Sequence, residues 1–359
     1  GRVCGSEVTV MAYETGPANG VDDLLDKLRL FAIGLGWTVD RFDTTSVGTG
    51  TGTSNNGKWL QLHHADAGYH NRVSDNRIDD VATNSYPKPY IHTFGATGVN
   101  TGSANYRDQP GASWQVSNKQ TTSASFASTT NGLRGPFKAY HFFGTSFYLH
   151  VVIEIVAGEY AHLGVGRLDK CGDYQGGEYG YGTSWYYYLN STSAWSANAH
   201  DSDHGQPFDA YSSQTSIYRS VGYLRLGHGD FNNEWARPYS GSNSTFSTIS
   251  GPGRETSPHS YRRNPYATLW NCTPNITNGV SPFIPSLIMF QQRDKNCFTA
   301  GEVRDYRFVN MTNLVPGQVI TLGSDQWLCF PIKAKGSKVI EAKGQVNSWR
   351  YGIAYRKVI

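Results

Sequence analysis

The sequence predicts a mainly β protein with antiparallel sheets in a sandwich or open barrel-like arrangement, one N-terminal amphipathic helix and long loops. Three observations predict it. The chain is poor in charge, at 16% against roughly 25% in soluble domains, and rich in turn formers and aromatics, with 40 glycines, 15 prolines and 23 tyrosines. Apolar residues alternate in short runs between clusters of Gly, Pro, Asn and Ser. A single segment carries the 3.6-residue period of a helix. The same composition argues against disorder, which is charge-rich and aromatic-poor, and against a helical bundle, where each Gly costs about 1 kcal/mol. No apolar run reaches the roughly 18 residues of a membrane-spanning helix.

The helix is expected over residues 21–32, where Val21, Leu24, Leu25, Leu28, Phe31 and Ala32 share one face. Asp22 and Asp23 suit its positive end, Asp23 and Lys27 form an i,i+4 pair, and Gly34 and Gly36 stop it before a strand at 37–39. The Thr/Gly/Ser/Asn tract 44–57 predicts a loop, and 58–63 a weak strand. Residues 65–134 are dominated by loops, which points to surface function or to short strands without an apolar pattern. The clearest strand is 147–156: Leu149, Val151, Ile153 and Ile155 alternate with Tyr148, His150, Val152 and Glu154, as in a half-buried strand with Glu154 toward solvent. Gly158 turns the chain into a return strand at 160–168. Further strands are expected at 185–189, 220–226, 286–290, 306–310, 319–322, 327–332 and 349–357. The Gly/Pro/Asp/Ser-rich passage 200–214 divides the 359 residues into 1–210, the helix plus a β-rich domain, and a β-rich 211–359, with one large domain as the alternative.

Catalytic signatures are missing: there is no GxSxG elbow, HExxH, phosphate-binding P-loop or EF-hand loop. A polysaccharide-degrading enzyme stays open, because glycoside hydrolysis needs only two carboxylates placed in space; Glu154 and Glu159 are the candidates, with surface charge as the plainer reading. His200, Asp201, Asp203 and His204 are residue types that ligate zinc or a similar metal. Asn198, Gly205 and Pro207 around them favour an unliganded polar loop, and no cofactor is expected. The neighbours His63 and His64 are a weaker pair of the same kind. Tyr179, Tyr181, Trp185, Tyr186, Tyr187 and Tyr188 could stack on sugar rings; packing within the sheet or at a subunit interface is the preferred reading.

Cys4, Cys171, Cys272, Cys297 and Cys329 are widely spaced, with no CxxC, as expected of reduced and mostly buried thiols; Cys272 and Cys297 are the candidates for a pair. The net charge of +3 gives no reason to expect a nucleic-acid partner. Its distribution is uneven. Lys333, Lys335, Lys338, Lys343, Arg350, Arg356 and Lys357 against Glu341 give residues 331–359 a net +6. Glu154, Glu159, Asp169, Asp173, Glu178, Asp201, Asp203 and Asp209 against Arg167 and Lys170 give 151–210 a net −6. These are two solvated faces or complementary assembly patches, with Lys333, Lys335 and Lys338 opposite Glu154, Asp169 and Asp173. Residues 1–10 precede Met11, a natural start, and are expected to be an extension.

Met11, Ala12, Tyr13, Glu14, Thr15 and Gly16, then 24–28 and 36–39, resemble the opening of structural proteins from tailed bacteriophage virions. The stretch from Gly135 through Phe137, Tyr140 and Phe143, then 148–155, 162–164 and 168–170, continues the resemblance, and 352–358 is similar to the ending of that group. The resemblance implies a non-enzymatic virion component that folds in the bacterial cytoplasm. It would act by assembly, in a ring or other multimer, with itself and other virion proteins at the tail, tail tip or baseplate. Neck, collar and capsid surface are alternative positions. A carbohydrate-binding receptor-recognition protein, contacting a host surface glycan, is the second expectation. No catalytic residue is carried across.

Overall fold

The structure, a computed structural model, describes residues 11–46, 56–75, 90–106, 108–113, 124–126, 133, 135–182, 222–227, 234–238, 260–263, 274–291, 297–332 and 351–357. The chain opens with β1 (Ala12–Ala18) and α1 (Val21–Gly34), followed by β2 (Thr38–Ser46), β3 (Asn56–His64), β4 (Gly68–Asp75), β5 (Tyr90–Ala96) and β6 (Ala124–Phe126). The middle holds β7 (Phe137–Gly144), β8 (Tyr148–Val156), β9 (Glu159–Arg167), β10 (Asp169–Lys170), β11 (Gln175–Gly182), β12 (Gly222–Gly227) and β13 (Glu234–Pro238). The remainder is β14 (Ser260–Arg263), β15 (Phe283–Gln291), β16 (Cys297–Asn310), β17 (Gln318–Leu322), β18 (Asp325–Pro331) and β19 (Tyr351–Lys357).

Helix α1 forms as its apolar stripe dictates. Val21, Leu24, Leu25, Leu28, Phe31 and Ala32 are buried. Asp23 accepts the Asn19 amide at 2.7 Å and the Lys27 ammonium at 3.0 Å, tying down the first turn. At the other end Gly36, with φ of +82°, lets the Trp37 amide fold back onto the Ala32 carbonyl. Trp37 is thereby buried, and its indole donates to the Thr145 carbonyl at 2.8 Å.

The strands build a mainly β, sandwich-like molecule in which, among the described residues, no sheet closes into a barrel. One ladder runs β1-β7-β8-β9-β11-β12-β13, crosses a short parallel pairing of Arg237 and Pro238 with Ser260 and Tyr261, and continues β14-β15-β16-β19-β18-β17; β10 joins β16. Strands from both sides of residue 210 therefore share one hydrogen-bonded path. The first half of the path lies against the second: Phe143 of β7 stacks on Tyr355 of β19 at 5.0 Å, and Tyr160 of β9 meets Phe330 of β18 at 5.7 Å. A separate sheet, β2-β3-β4-β5-β6, packs with α1 on the opposite side of β7, β8 and β9.

The central strands are thus covered on both faces. Leu149, Val151, Ile153 and Ile155 of β8 join Leu24, Leu25, Leu28 and Leu62 in one core. Val152 joins Tyr181, Phe308, Ile353 and Tyr355 in the other. This corrects the expected half-buried strand: every residue of β8 except the last is buried.

The expected hairpin is present as β8–β9, and β12, β15, β16, β17, β18 and β19 match expected strands. One loop expectation is corrected, and for 65–134 the short-strand alternative is the one met. Strands β2 and β3 run into both ends of the 44–57 tract, with Ser46 opposite Asn56. The stretch 65–134 contains β4, β5 and β6, whose alternation is masked because β4 buries His70, Asn71, Arg72 and Ser74. Among strands without an earlier expectation, β7 carries aromatics toward both cores, which erases a period of two. The expected strand 185–189 lies outside the described residues.

Candidate functional site

The two stacked halves of the large ladder are joined by buried polar side chains. His150 of β8 and His162 of β9 face the second half, where Tyr355 of β19 meets His162, and Tyr181 of the neighbouring β11 meets His150. His150 Nε2 lies 3.0 Å from the Arg304 carbonyl, and His162 Nε2 lies 2.9 Å from the Pro331 carbonyl. A carbonyl only accepts, so each ring carries its proton on Nε2 and accepts at Nδ1. The Tyr181 hydroxyl therefore donates to His150 Nδ1 at 2.8 Å, and the Tyr355 hydroxyl to His162 Nδ1 at 2.9 Å. Both phenol protons are then committed, so the 3.5 Å approach of the two hydroxyl oxygens is a contact between acceptors rather than a hydrogen bond.

Local sequence makes the room. A Cβ on Gly164 would sit 2.5 Å from the Tyr181 ring and 2.7 Å from His150 Nδ1. Burial pushes His150 down to about 3 and His162 to about 4, so both imidazoles are neutral at pH 7. Burial also holds the Tyr181 phenol well above its usual value. At the rim of the network Tyr148 donates to Asp305 at 2.7 Å, while Arg356 bridges Asp305 at 3.3 Å and Asp325 at 2.6 Å. Among the described residues Asp305 is the non-glycine residue with positive φ, +52°, at the irregular register of β16 against β15. With both ring nitrogens of each histidine occupied, this arrangement fixes one sheet against the other.

The sequence-expected site residues are dispersed. Tyr179 and Tyr181 are fully buried between the sheets, which corrects their candidacy as a sugar platform or outer interface and agrees with the sheet-packing reading. Trp185, Tyr186, Tyr187 and Tyr188 lie outside the described residues, as do His200, Asp201, Asp203 and His204 and the assembly candidates Lys333, Lys335 and Lys338. Glu154 is corrected too: at 8% exposure it accepts from Lys138 Nζ at 2.8 Å and from the Gly158 amide at 3.2 Å, so it is no free surface charge. Asp169 is exposed but bonds Arg304 within the chain at 3.0 Å, and Asp173 is exposed. Glu178 is buried and pairs with Arg167 at 2.8 Å and Arg225 at 3.9 Å, so part of the acidic region is neutralised internally.

His63 pairs with Asp40 at 2.7 Å and stacks on Tyr69, whereas His64 accepts the Asp66 amide. Among the described residues no three His, Cys, Asp or Glu side chains group as metal ligands. Cys329 is buried, which pushes its thiol up to about 12, while Cys171 is exposed, against the expectation of mostly buried thiols. Cys4 and Cys272, and the side chain of Cys297, lie outside the described residues.

The two ends of the long ladder were not singled out from sequence, and they differ. At one end β1 contains Pro17, which has no amide proton, and the exposed Glu14; both discourage strand addition. At the other end β17 carries Gln318, Val319, Ile320, Thr321 and Leu322, with neither charge nor proline, and pairs on one side only among the described residues. Val319 is 43% exposed and Leu322 38%. The signal available in sequence was the charge-free composition of that strand. No protein-family model and no curated protein matches the chain.

Proposed function

We propose that the chain is a non-enzymatic structural component of a tailed bacteriophage virion. It folds in the bacterial cytoplasm and assembles with itself and with other virion proteins at the tail, tail tip or baseplate. The observation that carries this reading is the β17 edge: a backbone row unpaired among the described residues, beside exposed Val319 and Leu322, on a ladder whose other end is blunted by Pro17 and Glu14. Such an edge supports strand addition, where main-chain hydrogen bonds supply affinity and alternate side chains supply selectivity. The rigid double-sided packing of β7, β8 and β9 behind it suits a part that bears load without changing shape. The sequence resemblance at both ends and in the centre of the chain points the same way.

The test has two arms. Antibody to the chain should mark tailed particles at one fixed place in electron micrographs. Val319→Lys, which puts a charge on the edge, should leave the circular dichroism spectrum unchanged and abolish multimers seen by light scattering. Unlabelled particles, or a wild-type protein that is monomeric at every concentration, would remove the proposal.

A further inference from the structure

Strand β4 carries a charge that nothing around it cancels. Arg72 sits mid-strand, opposite Leu60 of β3 and Thr93 of β5, and is 1% exposed. None of its three guanidinium nitrogens has a hydrogen-bond partner. The groups acting on its charge are the phenols of Tyr223 and Tyr181, with no carboxylate among them. Burial lowers its pKa only to about 10, so it is protonated at neutral pH. The cost of an uncompensated buried cation rivals the net stability of a whole domain.

The acids on this side and the histidine of β4 each hold another partner. Asp22 of α1 accepts from Ser74, two residues along the same face. Glu178 holds Arg167 and Arg225 through Oε1, while its buried Oε2 has no hydrogen-bond partner. His70, two residues the other way, donates from Nε2 to the Ala67 carbonyl at 2.8 Å and accepts at Nδ1 from the Tyr223 hydroxyl at 3.2 Å. Beside Arg72, however, stands a second orphan. Thr93 is fully buried, its hydroxyl has no partner, and directly opposed residues on adjacent strands project from the same face. Two unpartnered donors, one a charged fork and one a hydroxyl, thus share one patch of buried sheet. Its flank is aromatic: Tyr223 meets Trp235 edge-on at 5.3 Å, and Trp235 occupies the space a side chain on Gly95 would need.

We infer that Arg72 and Thr93 are the anchoring half of a binding site for one oxyanion group, a carboxylate or a phosphate, enclosed between the small sheet and the aromatic side chains of β12 and β13. A guanidinium offers two parallel N–H donors at the spacing of two oxygens of such a group, and the hydroxyl supplies a third donor. A ligand of this kind returns to Arg72 the counter-charge that the fold omits. The site is separate from the β17 edge, so it stands or falls independently of the assembly reading.

The test uses the full chain, exhaustively desalted, with inorganic phosphate and acetate as probes and sodium chloride at equal ionic strength as control. Anions carried through purification are measured by ion chromatography after denaturation. The wild-type protein should either release about one oxyanion per chain or take one up, with saturable heat and a raised melting temperature. Phosphate and acetate arms distinguish the two sources of the group. Arg72→Met should abolish the saturable response. Thr93→Val, a near-isosteric change that keeps the guanidinium, should weaken binding about tenfold. Neither release nor uptake by the wild type would overturn the inference, because the guanidinium would then hold water alone. An equal response in Thr93→Val and Arg72→Met to that of the wild type would overturn it as well.

Discussion

The two faces of the central strands solve burial differently. Toward the second half of the ladder, β8 and β9 present His150 and His162, and each ring nitrogen meets a partner on another strand. Toward α1 and the small sheet the same strands present Leu149, Val151, Ile153, Leu163 and Val165. A polar network has one arrangement that satisfies it, so it specifies which residue faces which. An aliphatic layer rewards proximity and tolerates exchange of shape. The first face therefore sets register and the second supplies most of the burial.

The largest effect that sharpens this contrast is the response to acid. Unfolded histidine titrates near 6.5, whereas burial pushes His150 down to about 3 and His141 and His162 to about 4 on the network side. His70, pushed to about 3, belongs to the other side. The unfolded chain then binds protons first, so stability is complete above pH ~6.5 and declines as pH falls toward 4, by about 1.4 kcal/mol per pH unit for each fully buried histidine. Urea unfolding from pH 7 to 4.5 should show this slope. His162→Gln should flatten it by one histidine's share, and an unchanged slope would break the contrast.

Next in size is Phe142→Ala, which empties a fully buried position on the aliphatic side. It should cost about 3–5 kcal/mol in chemical denaturation, without altering the pH slope. Smallest is the removal of single hydroxyls. Tyr355→Phe strands His162 Nδ1 and should cost about 1–3 kcal/mol. In a double-mutant cycle Tyr181→Phe and Tyr355→Phe should be nearly additive, within about 0.5 kcal/mol, because each phenol donates to its own histidine. Strong coupling between them would show a proton shared across the 3.5 Å contact and a different tautomer.

What the sequence disclosed follows the same division. Helix α1 was legible because only one of its faces is buried, leaving the period of 3.6 intact. The β8–β9 hairpin was legible from β-branched residues and Gly158. The exposure of β8 was misjudged because His150 and Glu154 look like solvent-facing residues; what covers His150 arrives from β16 and β19, far along the chain, while Glu154 is held by Lys138 and the Gly158 turn. Tyr179 and Tyr181 alternate as a platform would; their burial depends on those distant strands. Strand β4 was hidden for the opposite reason. Gly68, His70, Asn71, Arg72 and Ser74 read as a loop, although four of the five are buried. The orphaned state of Arg72 is a property of three dimensions and has no local signature.

The unequal ends of the long ladder limit how far growth by strand pairing along that ladder can go. With Pro17 and Glu14 guarding one rim of the long ladder, a newcomer to that ladder finds purchase, among the described residues, along Gln318–Leu322. Two copies joined rim to rim would bury both receptive strands and turn two guarded ones outward, giving a two-fold pair that stops by itself. A foreign strand seated there ends growth along this ladder just as surely, because its other rim, as described, offers no second foothold.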